Sequence, residues 1–194
     1  MPPPECLLSI GTKTIEYLDG GGGEAPYTLY VYPPAEEFAV RRDLGHLRIW
    51  LEAQRVTCGV VSLAELFWQA LEDAGWLESL IEEERRAAGD PAALENVYTS
   101  VGEVLRESPT LPERVVAALD GYNGRATAFL YRAGSLYPAY RTSSLLDDLR
   151  SRINLPVTLL YPGRLVGSYG LRFMDKCEPA YGYRATIIPR RGEA

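Results

Sequence analysis

YTLYVYPPAEEFAV occupies positions 27–40. Its first six residues are β-branched, aromatic or aliphatic, the composition of a strand buried on both sides. Two prolines end that run, and the pattern then changes to Val40, Leu44, Leu47 and Leu51, a helical stripe. A strand feeding a helix is the opening unit of a parallel α/β sheet. In a nucleotide-hydrolysing protein of that kind, the connection after the first strand carries G-x-x-x-x-G-K-[ST]. Here it reads PPAEEFAV, and two prolines with two glutamates do not cradle phosphates.

The same grammar repeats outward. CGVVSL (58–63) is a second strand, and Ser62 with Glu65 fits a helix cap. Helices follow over WLESLIEEERRAA and LPERVVAALDG, with GDP (89–91) ending one helix and starting another. ATAFLYR is a strand, and SSLLDDLRSRI is a helix capped by Ser143 or Ser144. PVTLLYP is a strand, and YGYRATII is the last one. Strands alternating with helices predict a three-layer α/β fold. Its sheet is mostly parallel and five-stranded, with a Rossmann-like or P-loop-like core that lacks a phosphate-binding loop. The interval of about twenty residues before the last strand permits either direction. The reading assigns 1–194 to one domain, with an N-terminal helix over about 4–19 and a flexible glycine-rich loop at 20–25.

The chain has 194 residues and a formal net charge of −6, which discourages nucleic acid and anionic membranes from approaching it as a whole. Arg41, Arg42, Arg132, Arg141, Arg164 and Arg184 are spread so that a fold can bring some of them together. Three widely spaced cysteines form neither a disulfide framework nor a zinc spacing, and read as reduced thiols. No signal peptide and no apolar run of membrane-spanning length is present, so a cytoplasmic protein is expected.

Tyr-Pro recurs at 32–33, 137–138 and 161–162. Parallel strands end at one edge, the edge where open α/β sheets bind their ligands. Proline stops a ladder and holds the preceding residue extended, so the expectation is that each tyrosine is left outward at that rim. The candidate binding residues for a partner or an anion are therefore Tyr32, Tyr137, Arg141, Tyr161 and Arg164. Tyr183 and Arg184 join them if the last strand is antiparallel. No catalytic residue, metal ligand or cofactor site is assigned. His46, the single histidine, lies off the apolar stripe and is expected to face solvent. GRLVGSYG reads as a turn, and Cys58 as inert packing.

LYVYPPAEE, GSLYPAYRTSSLLDDL, LPVTLLYPGR and YGYRATII resemble, in this order, the signature segments of the BrxB family. BrxB is a component of BREX bacteriophage-exclusion systems. The resemblance runs from about Tyr27 to Pro189. It implies a small cytoplasmic protein without established enzymatic activity, encoded beside a methyltransferase, a large ATPase and a PglZ protein. It implies partners among the BREX proteins, a PglZ-like protein foremost, and DNA contact only indirectly or within the assembly. Two readings stay open: a non-enzymatic adaptor, or a degenerate nucleotide- or nucleic-acid-binding domain that uses the carboxyl edge.

Overall fold

A computed structural model describes residues 3–20 and 25–190, with the side chain of Cys6 left out. Most of the glycine-rich loop of the sequence reading lies outside the described residues. Seven α-helices and six strands are found among them.

Helix α1 (Glu5–Leu18) precedes strand β1 (Tyr27–Tyr32), and α2 (Glu37–Ala53) leads to β2 (Thr57–Ser62). Four helices, α3 (Leu63–Asp73), α4 (Leu77–Ala87), α5 (Pro91–Val104) and α6 (Leu111–Ala118), then precede β3 (Ala126–Tyr131). Helix α7 (Thr142–Arg150) leads to β4 (Val157–Val166), β5 (Gly170–Phe173) and β6 (Thr186–Pro189). The sheet order is β2-β3-β4-β1-β6, with β5 attached to β4. Every pair along that path is parallel, and only β4 with β5 is antiparallel. The last strand, whose direction the sequence left open, is therefore parallel to β1. GRLVGSYG is more than a turn: it forms the end of β4, the bend and the start of β5.

Helices lie on both sides. One core joins β1, β3 and β4 to α3–α7 through Leu29, Leu130 and Leu159. The other joins the opposite side chains, Tyr30, Phe129 and Leu160, to α1 and α2 through Leu7, Leu44 and Leu47. This arrangement explains the continuous apolar runs: alternate side chains enter different cores, so neither parity can be polar.

Local chemistry fixes the helix starts. Asp90 accepts from the amides of Ala92 (3.0 Å) and Ala93 (3.3 Å), and Pro91 follows it, as GDP predicts. Ser62 Oγ accepts from the Glu65 amide at 3.3 Å. Thr110 and Glu113 form a reciprocal capping box at α6, worth about 1 kcal/mol. Neither expected serine caps α7: its N-cap position is Arg141, which makes no side-chain cap bond, and the helix already begins at Thr142.

Candidate functional site

The carboxyl edge does not display its tyrosines as the Tyr-Pro pattern predicts. Tyr32 is 1% exposed and Tyr161 is 0% exposed. They also enter different cores, Tyr32 the one under α2 and Tyr161 the one under α7. The cause is register. Tyr161 lies beside Val31, and Tyr32 lies beside Pro162, so the two rings fall on opposite parities of neighbouring strands. Pro162 does not end β4 either. The strand runs on to Val166, because at Gly163 it exchanges its partner β1 for β5. A Cβ at Gly163 would stand 2.2 Å from the Arg172 carbonyl oxygen, so only glycine allows this approach.

A cleft of about 440 Å³ does form at this edge. Tyr137, Arg141 and Thr142 on one side face Tyr161, Cys177 and Tyr183 on the other. Tyr183 reaches it although β6 is parallel, because the segment between β5 and β6 passes over the cleft on its way to β1. The Tyr183 ring meets Tyr161 edge-on at 5.9 Å, and its hydroxyl lies 3.1 Å from Thr142 Oγ1. The Tyr161 hydroxyl has no hydrogen-bond partner among the described residues. Burial first, and then the nearby Tyr183, push its pKa above the ordinary tyrosine value. Burial also raises the Cys177 thiol, with Arg141 opposing. Tyr137, 38% exposed, forms the outer lip.

The other candidates lie elsewhere. Arg164 turns to Asp175, 3.4 Å away, and does not line the cleft. Arg184 borders a separate hollow with Asp147, Arg150 and Gly182. The structure thus unites Tyr137, Arg141, Tyr161 and Tyr183, and leaves Tyr32, Arg164 and Arg184 apart from them.

Beyond the lip lies a feature the sequence reading missed, an apolar groove of about 240 Å³ between α3, α4 and α5. Trp68, Leu77, Ile81 and Tyr98 line it, and Tyr137-Pro138 closes its end. Tyr137 and Pro138 therefore belong to both groove and cleft. Trp68 is 49% exposed and the neighbouring Trp76 47%. The signal was present: α3 buries Leu63, Ala64, Ala70 and Leu71, so Trp68 falls off that face and has no core to enter.

The place of a phosphate loop, after β1, is filled by side chains. Arg190 donates to Glu36 (2.7 Å), Asp43 (2.7 Å) and the Tyr30 hydroxyl (3.1 Å). Burial opposes the arginine's charge, but the bonds to Asp43, Tyr30 and Glu36 outweigh it and raise its pKa. Beside this cluster the Tyr32 hydroxyl donates to the Glu37 carboxylate. Burial and that hydrogen bond hold the phenol protonated above its ordinary range. Carboxylates at this point repel a phosphate. Arg190 was missed because its partners Glu36 and Asp43 stand far away in sequence and meet it only through the pairing of β1 with β6.

His46 is half-buried, and its Nδ1 is shielded without a hydrogen-bond partner among the described residues, rather than facing solvent as expected. Burial pushes the Cys58 thiol up to about 12, which agrees with inert packing. Among the described residues no cluster of three or more His, Cys, Asp or Glu could hold a metal. Among them, too, no helix is long and apolar enough to cross a membrane.

No curated protein and no solved structure matches the chain significantly. The family model described as BREX protein BrxB matches residues 60–188. That segment holds β3, β4, the Tyr137-Pro138 lip and every residue of the cleft, while LYVYPPAEE lies before it. With about two thirds of its length matched, the chain belongs to the BrxB family and is a component of a BREX anti-phage defence system.

Proposed function

We propose that this BREX component works in the cytoplasm as a non-enzymatic adaptor, one folded unit that grips another protein of the system, a PglZ-like protein foremost. The observation that carries the reading is the continuous surface from Trp68 and Ile81, across Tyr137-Pro138, to Arg141 and Tyr183. It combines an apolar trough, tryptophan and tyrosine at its lips and an arginine at one end. These are the residue types that dominate protein-protein hot spots. A helix of the partner fits the groove, where the only charged lining residue among the described ones is Glu84.

The alternative, a degenerate nucleotide site at the carboxyl edge, is disfavoured by Glu36 and Glu37 at the end of β1.

The test is co-purification of tagged chain with the PglZ-like protein of the same system. Trp68→Ala, Tyr137→Ala and Arg141→Glu should each lower capture, at least one of them by about 30-fold, the scale of a hot-spot residue. All three side chains are exposed, so thermal unfolding should hardly move. Unchanged capture in the triple variant sinks the reading.

A further inference from the structure

Among the described residues, only α1 and α2 cover one face of the sheet, whereas α3–α7 cover the other. Two helices about 10 Å wide are about as broad as five strands about 4.8 Å apart, so a twisted sheet is left partly open beside them. Beside α1 a hollow of about 330 Å³ is lined by Ile10 and Thr14 of the helix and by Thr28, Thr158 and Thr186 of β1, β4 and β6. Another opening is at the β2 side. There a groove of about 390 Å³ runs beside α2, with Val60 of β2 and Tyr131 of β3 as its floor.

Its wall is one face of α2: Phe38, Arg41, Arg42, Gly45 and Arg48. Spacings of three and four residues stack these positions above one another. Nothing lies within 4 Å of a Cβ placed at Gly45, so the wall is open between the arginines. The Arg41 guanidinium lies 5.9 Å from the Phe38 ring centre and 5.6 Å from that of Tyr131. Phe38 is 80% exposed. Of the acidic neighbours, Asp43, 3.9 Å from Arg42, is held by Arg190, and Glu52 pairs with Arg48 at 3.4 Å, an exposed pair weak enough for a phosphate to displace. Arg132, just past Tyr131, lies 3.9 Å from Glu65 of α3 and does not line the groove.

We propose that this groove binds single-stranded nucleic acid, with phosphates on Arg41, Arg42 and Arg48 and a base stacked on Phe38. The chemistry is that of a stacking platform beside a cationic track. On a chain of net charge −6, three arginines on one helix face give a polyanion a local place to dock. The exposed Phe38 ring, with Arg41 beside it, adds what an acidic peptide does not need and an unpaired base does. A duplex keeps its base faces stacked inside, so the ring discriminates for single strands. This surface is separate from the groove and cleft of the adaptor reading, and the proposal goes beyond that reading.

Fluorescence anisotropy of a labelled oligothymidylate of about 15 nucleotides with the full chain tests it. A duplex of equal length and a glutamate-rich peptide serve as competitors. The single strand should bind. With three phosphates engaged, affinity should fall by roughly 10- to 20-fold from 50 to 200 mM salt. Phe38→Ala should weaken it at least about fivefold, and Arg42→Glu with Arg48→Glu should abolish it. Exposure of these side chains keeps unfolding temperatures near wild type, and Phe38→Ala should leave capture of the protein partner intact. Absence of binding at about 50 mM salt overturns the proposal. So does equal affinity for duplex, indifference to Phe38→Ala or to the charge reversals, or displacement by the acidic peptide alone.

Discussion

Replacing Arg190 by alanine should be among the most damaging single changes at a charged residue. Arg190 is 15% exposed in its side chain, and its guanidinium serves two carboxylates and a phenol. Asp43, 7% exposed, would lose its closest cation and stay in the core beneath α2. Removing one member of a buried pair costs about 3–5 kcal/mol, most of it from the charge left behind. For a chain of this size that lowers the melting temperature by roughly 6–20 °C. Urea denaturation followed by circular dichroism measures it, since a shifted midpoint at constant slope reports stability alone. The cause is isolated by Asp43→Asn: in the asparagine background the arginine should be worth less by about 1.5 kcal/mol or more. A loss under about 1 kcal/mol for Arg190→Ala, or equal losses in both backgrounds, would refute the argument. The cluster would then be a solvated surface network.

Three further outcomes follow from the geometry. Tyr161→Phe should stay within about 1 kcal/mol of wild type, because its hydroxyl has no partner to lose, whereas Tyr161→Ala should cost about 3–5 kcal/mol by opening a cavity; chemical denaturation of both variants checks the contrast. Gly163→Ala drives a methyl into the Arg172 carbonyl and should destabilise by about 1–3 kcal/mol, read as a lower melting temperature. At pH 8 the native Cys58 thiol, raised to about 12, should alkylate at least about 100-fold more slowly than in urea, as followed by mass spectrometry of its peptide.

The strands were legible because full burial leaves a signature that does not depend on neighbours: TLYVY, TAFLY and VTLLY are apolar whichever way they face. Layer order followed from the alternation of strand and helix. The orientation of each tyrosine was not legible. It depends on a one-residue offset between β1 and β4, strands far apart in sequence, and such an offset flips every side chain to the other face. Proline was misread at β4 because it breaks a ladder only where an amide must donate, and Pro162 sits where β4 changes partners. The arginines of α2 stood on a readable helix, but their groove needs β2 and β3 beside them. Trp68 and Trp76 were overlooked because an exposed tryptophan shows itself only after the core stripe of its helix is known.

Strand β1 stands between β4 and β6, and each of its partners is made more than half a chain-length later. During synthesis, both edges of an aromatic-rich segment therefore lack their pairs while α3–α6 are already available to associate with one another. Contacts of such long sequence separation close slowly. Over that interval TLYVY is an adhesive strand, open to a neighbouring nascent chain as readily as to its own sheet. Its production in quantity should thus be limited by the lifetime of unpaired β1 more than by the stability of the finished fold, with lower temperature and slower synthesis improving yield.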